Sequence, residues 1–266
     1  MKKKSAGSIA VMLLVMIYLL IPLVISIIYS LFKKWTGILP EGFSIGNYTS
    51  LFSDPNFLAS VGRSVGMCIV PILLTIVIVL LALFVTTIYF PKLEKYVQII
   101  CMIPYTIQGV ILSVSILSLY VGTKSVLSNR MVMLMGAYCI VILPYIYQGI
   151  RNGMRAVNMV TLIEAAEMLG ASKIYAFFRV VVPNIISAII VSSLLAVGII
   201  FGDYVLIRNL AGTSAPNMQI FLYQTMKSDS TKASAVFVII MFVTFVITAI
   251  VLFLKSREGK NRGQKK

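Results

Sequence analysis

Apolar residues in this chain collect into long unbroken runs and do not alternate with polar ones. Runs of about 20 residues cover a hydrocarbon core of about 30 Å as helix, whereas the strands of a membrane barrel alternate with period two. Six such runs predict spans near residues 9–32, 57–90, 96–120, 131–150, 183–205 and 233–254. The second is too long for one perpendicular crossing, so its start is expected at the outer surface or the helix tilted. The first exceeds the apolar core of about 7–15 residues in a signal peptide and is expected to be a retained span. The expected class is an all-α polytopic membrane protein, with residues 1–266 forming one transmembrane domain.

Orientation follows from the basic residues near the span ends. Lys2, Lys3, Lys4, Lys92, Lys95, Arg151, Arg155, Lys173, Arg179 and the six cations after Leu254 fall on one side, which takes most of the 23 Lys and Arg. Both termini are therefore expected in the cytoplasm. Lys124 and Lys227 are expected outside. Trp35, beside Lys33 and Lys34 in an outer loop that also holds Gly37, Pro40, Gly42, Gly46 and Pro55, suits an interfacial anchor.

Composition narrows the class. The chain is 59% hydrophobic and 12% charged, against about 25% charged in a soluble domain, and its mean hydropathy is +1.00. A net charge of +15 would point to nucleic acid in a soluble protein, but here the cations sit at helix ends and on the tail, as topology predicts. Cys68, Cys101 and Cys139 lie inside apolar runs with no CxxC pair, so they are expected to be buried hydrophobes and not metal ligands or a disulfide. Histidine is absent, which removes the commonest general base. A lipid-modifying enzyme would need catalytic groups of a kind this chain lacks.

The cytoplasmic loop 152–182 is too polar to span yet has no turn-rich linker. Leu162, Ala165, Ala166 and Leu169 recur at helical spacing, which predicts two short helices joined at Gly170. Inside it stand Glu164-Ala165-Ala166, three residues, Gly170, nine residues, and Val180-Val181-Val182-Pro183. This resembles the EAA motif of permeases in binding-protein-dependent ABC importers, with Val180 and Val182 in place of Ile and Leu and without a second proline after Pro183. The resemblance implies a type I importer permease fold, five core spans plus one at the N-terminus. It also implies a bacterial cytoplasmic-membrane location and no enzymatic activity in this chain.

The resemblance assigns ATPase coupling to Glu164, Ala165, Ala166, Leu169, Gly170 and Pro183. Ala165 and Ala166 are small enough to seat a helix in a partner's groove. Gly170 permits the backbone reversal. Glu164 is expected near a helix start, favoured by the macrodipole, and Pro183 in the first turn of span five. The implied partners are two cytoplasmic ABC ATPases, a second permease (a paralogue rather than an identical copy), an extracellular binding protein and the bilayer, with no nucleic acid. ATP and Mg belong to the ATPases. The string Gly122-Thr123-Lys124-Ser125 lacks the spacing of a phosphate loop. An exporter half, the other six-span class, would carry longer cytoplasmic helices and no such loop.

Leu169-Gly170-Ala171-Ser172 and Phe201-Gly202-Asp203-Tyr204 are similar to the polyamine, phosphonate and ferric-ion branch. That implies a spermidine- or putrescine-type cargo; phosphonate, ferric ion, another anion or a sugar are the alternatives. Asp203 is a carboxylate within an expected span, a candidate for attracting a cation or for pairing with Arg208. Pro104-Tyr105-Thr106-Ile107-Gln108-Gly109 echoes Pro144-Tyr145-Ile146-Tyr147-Gln148-Gly149. Each proline is expected to kink its helix, and Tyr105, Gln108, Tyr145 and Gln148 are candidate pathway residues. Gly62/Gly66 and Gly198/Gly202 have the spacing of close helix packing.

Overall fold

The computed structural model describes residues 6–34, 41–122, 126–212 and 215–263. Lys2, Lys3, Lys4, Trp35, Gly37, Pro40 and Lys124, with the expectations attached to them, lie outside that range.

Helix α1 (Ala6–Ser30) leads into an antiparallel hairpin, β1 (Phe32–Lys34) and β2 (Glu41–Phe43), which sets Phe32 opposite Phe43, and then into α2 (Gly46–Phe52). Beyond them come α3 (Pro55–Ile88), α4 (Glu94–Met102), α5 (Gly109–Tyr120), α6 (Arg130–Ala156), α7 (Met159–Met168) and α8 (Lys173–Ala176). A π-helical stretch, Phe177–Val181, joins α8 to α9 (Val182–Asn184). The chain continues through α10 (Ile186–Phe201), α11 (Val205–Leu210), α12 (Met218–Ser228) and α13 (Ser230–Gly263).

Four of these helices, α1, α3, α6 and α13, are long and apolar enough to cross a membrane, and the number becomes six if each of two bent pairs counts as one span. α3 has 34 residues, or about 51 Å of helix, so it extends past the hydrocarbon as its length in the sequence required. Asp54 caps it, accepting from the Asn56 amide at 2.9 Å, and Pro55 occupies the first turn, where its missing N–H costs little.

Two expected spans are broken. In the third, Pro91–Thr106 and Gly109–Tyr120 meet at 103°. Pro104 withdraws a donor, Thr106 bonds back to the Ile103 carbonyl at 2.8 Å, and Ile107 and Gln108 turn to extended backbone. The matching proline, Pro144, does not interrupt α6. α6 is clasped between α3 and α10, with Ile142, Ile146, Tyr147 and Ile150 fully buried, and that packing holds the helix through its lost hydrogen bond. The fifth span bends by 66° at Ile185, so Pro183 lies before the break and not in the first turn of α10.

α10 ends at Phe201, and the segment beyond it forms α11 and α12. Leu206, Ile207, Leu210, Met218, Ile220 and Phe221 are buried, the Asn217 side chain caps α12 through the Ile220 amide, and Arg63 of α3 donates to the Pro216 carbonyl at 2.8 Å. Asp229 accepts from the first amides of α13 and from the Thr231 hydroxyl. Burial works to raise its carboxyl, but the Lys232 amide and the Thr231 donors outweigh that and hold it below the ordinary carboxylate range.

Close packing is set by glycines other than the expected pairs. A Cβ on Gly62, Gly66 or Gly198 would meet only open space, and one on Gly202 only its own helix. Gly149 and Gly153, one turn apart on α6, face Ser192 and Ala188 of α10, and a Cβ on Gly153 would lie 2.7 Å from that of Ala188. Gly153→Ala should therefore destabilise the purified protein by about 1–3 kcal/mol, with Ala188→Gly restoring most of the loss and Gly66→Ala nearly neutral. Thermal unfolding followed by size-exclusion chromatography in detergent checks this; equal behaviour of Gly153→Ala and Gly66→Ala would refute the contact.

Candidate functional site

The loop expected over residues 152–182 begins later, because α6 runs on to Ala156. Asn158 takes a left-handed backbone (φ 55°) and turns the chain into α7. Met159 and Ile163 are buried and Leu162 and Ala166 pack partly against the core, so one stripe of α7 faces inward. The other face presents Glu164, Ala165 and Glu167 to solvent. Ala166 thus belongs to the inner contact more than to a docking surface. Glu164 sits mid-helix, since α7 starts five residues earlier, and the expected dipole benefit at a helix start does not apply to it.

Gly170 closes α7 with φ +85°, a conformation that costs glycine no Cβ clash. The Ala171 amide reaches the Ala166 carbonyl at 3.0 Å and the Gly170 amide the Glu167 carbonyl at 2.9 Å, the paired bonds of a Schellman turn. Ser172 then caps α8 through the Tyr175 amide, and Lys173 returns to Glu167 at 3.8 Å. This turn thrusts Met168 and Leu169 outward, each 89% exposed. Behind it Phe177 stacks on Phe84 of α3 with centroids 4.6 Å apart, and Lys173 lies over the Tyr89 ring. Pro183 is exposed beyond the π-helical stretch.

Above the loop the structure opens a cavity of about 360 Å³. Tyr105, just before the first helix break, and Tyr145 line it with rings in an edge-to-face contact, centroids 4.9 Å apart. Gln148, Asn152, Asn184 and Ser192 add polar groups. Three of the five candidate pathway residues, Tyr105, Tyr145 and Gln148, thus meet in one place. Gln108 does not line this cavity, and its side chain is exposed.

Glu94 escaped the sequence reading; its only signal is a lone carboxylate between Lys92 and Lys95. One of its oxygens accepts from Arg151 Nε at 3.0 Å, from a second Arg151 nitrogen at 2.7 Å and from Arg155 at 3.1 Å. This ties the start of α4 to the end of α6, one turn before the loop.

Asp203 does not line the cavity and forms no ion pair with Arg208 among the described residues. Its carboxylate accepts from the Tyr138 hydroxyl at 3.2 Å and from the Leu206 and Ile207 amides at 3.4 and 3.3 Å, joining α6 to α11. Asp203→Asn should lower thermal stability by about 1–2 kcal/mol. Tyr138→Phe should act in the same direction and Arg208→Gln should have no effect. Matching losses in Asp203→Asn and Arg208→Gln would contradict this arrangement.

Residues 93–258 match the family described as "Binding-protein-dependent transport system inner membrane component". Along nearly its whole length the chain is similar to a 2-aminoethylphosphonate transport system permease protein, PhnV, of Salmonella paratyphi A, with 22% identity covering 99% of this chain and 98% of that one. It is also similar to the spermidine/putrescine transport system permease protein PotC of Haemophilus influenzae, 23% identical over 95% and 97% of the two chains. Its fold is like that of a chain in a bacterial ABC transporter involved in the import of the acidic polysaccharide alginate, with TM-score 0.66 at 18% identity over 94% of each chain. The family match spans the loop, the cavity walls and the last four helices, and the chain belongs to this family of inner-membrane ABC importer permeases, which are transport subunits and not enzymes.

Proposed function

We propose that this chain forms one side of a translocation pathway, coupled through Met168, Leu169 and Gly170 to a cytoplasmic ATPase, and that its cargo is a small polyamine-type cation. The observation that carries the coupling is the rigid, outward-facing tip of the loop: two apolar side chains 89% exposed at a turn fixed by paired backbone bonds. Fully exposed Met and Leu on a braced turn favour a protein groove. Glu164, with no basic side chain within ion-pair distance among the described residues, stands beside them as a charge for such a groove.

The complete machine under this reading has two ATPase subunits holding ATP and Mg, a second permease (a paralogue) and an extracellular binding protein. Nucleotide-driven closure of the ATPases would move α7 and α8 as a unit. The Phe84–Phe177 stack would pass that displacement to α3, and the bend at Ile185 would pass it to α10. Cargo identity is supported by the likeness to PotC; the likeness to PhnV favours 2-aminoethylphosphonate as the second reading. Both compounds carry a primary amine.

Gly170→Val places a β-branched side chain at φ +85°, and Ala165→Asp puts a charge on the exposed face of α7. Each should leave the permease inserted while reducing ATPase stimulation by substrate-loaded binding protein about tenfold or more, or releasing the ATPase during purification. Normal stimulation in both variants would end the coupling assignment. Orientation is tested separately in a background with Cys68, Cys101 and Cys139 replaced. A cysteine at Lys227 should react with an impermeant thiol reagent on intact cells and one at Lys173 should not; the opposite pattern would invert the topology.

A further inference from the structure

The cavity beneath the two helix breaks presents uncharged oxygen acceptors from three side chains. One hydrogen of the Gln148 amide nitrogen goes to Met102 Sδ at 3.2 Å, which leaves Oε1 and the second N–H open to a ligand. The Asn184 amide nitrogen donates one hydrogen to the Val180 carbonyl at 2.8 Å, which leaves Oδ1 and the second N–H. The Ser192 hydroxyl donates within its own helix, to Ala188 or Ile189, and keeps its lone pairs. On three sides, therefore, an uncharged oxygen remains open as an acceptor.

Charge and rings agree with that. No Lys or Arg lines the cavity, so an anionic group entering it would find no counter-charge. Tyr105 and Tyr145 offer aromatic surface, which attracts a cation by the ring quadrupole. A volume of about 360 Å³ lies at the small end of ligand sites. The walls also come from the two interrupted segments: Tyr105 precedes the 103° break, and Asn184 and Ile185 form the 66° bend. Discontinuous helices of this kind are where transporters bind solute, because a rearrangement at the breaks reshapes the site.

We propose that this cavity is an ammonium station on the pathway, which takes the primary alkylammonium end of the cargo on the oxygens of Gln148, Asn184 and Ser192 and the rings of Tyr105 and Tyr145. The inference rests on the permease reading above and adds the site and the part of the cargo it grips. An aminoalkylphosphonate would enter by its amine, with its anionic end left outside. A diamine fits at either end.

The test uses the assembled importer in lipid nanodiscs without its binding protein, with radiolabelled putrescine as probe and equilibrium dialysis as readout. Wild type should bind putrescine, and unlabelled 2-aminoethylphosphonate should compete where ethylphosphonate, lacking the amine, does not. Gln148→Glu should tighten putrescine binding and Gln148→Lys should weaken it, each by about tenfold. Asn184→Asp and Asn184→Lys repeat the sign test on the opposite wall at an exposed residue, in case the Gln148 variants fail to assemble. Tyr145→Phe should bind nearly as wild type and Tyr145→Leu more weakly. A wild type that binds no putrescine, or Glu/Lys and Asp/Lys pairs that shift affinity in the same direction, would overturn the assignment. Uptake into proteoliposomes with the binding protein present separates the two levels. Putrescine uptake without nanodisc binding discards the cavity and keeps the amine cargo, whereas uptake of a non-amine solute alone discards both.

Discussion

Lipid supplies no hydrogen bonds, so a chain crossing it keeps its backbone in helices and can interrupt them only where protein or a cavity takes over. That constraint organises this molecule. α1, α3, α6 and α13 run unbroken, and α1, which packs chiefly on α13, exposes Val11 to Ile21 outward as a lipid-facing helix does. The two interruptions, after Thr106 and at Ile185, fall beside a shared cavity and next to the buried helix α6. Irregular backbone and polar lining thus coincide.

α6 is the element against which the others are placed. Its glycines let α10 approach closely, its tyrosine Tyr138 holds Asp203 at one end, and its arginines hold Glu94 at the other. The loop that follows is stiffened by the Schellman turn and the aromatic stack on α3, and it exposes only its tip. Rigidity at the loop and breaks in the spans are complementary. Under the proposed coupling, a displacement applied to this stiff handle would be absorbed where helices are already interrupted, and in this chain those places border the cavity.

Much of this was legible in the residues. Hydropathy located the apolar segments, and the spacing of Glu164, Ala165, Ala166, Gly170 and Pro183 identified the loop, because a turn that demands φ > 0 and a helix that demands small residues leave a local imprint. The Pro-Tyr repeat marked the cavity, and three of its four named residues line it. Gln108 does not, since the break at Thr106 turns the chain before that residue. The start of α7 was misjudged and Glu164 with it, for the signal there is an αL asparagine, Asn158, and not a capping box.

What the sequence determined by itself is the solvent, the helical class, the presence of the polar loop after α6 and the turn at its tip, all of which depend on a residue and its near neighbours. Tertiary structure decided the rest. Two prolines in similar strings, Pro104 and Pro144, behave differently because one helix is clasped between two neighbours and the other is not. Gly149 and Gly153 became the close contact while Gly62 and Gly66 did not, because small residues matter only where another helix arrives. Asp203 became a half-buried acceptor for the Tyr138 hydroxyl and the Leu206 and Ile207 amides, and the segment after α10 folded into α11 and α12 with its apolar side chains in the core. In each case the deciding energy lies in contacts between residues far apart in the chain, which no local pattern encodes.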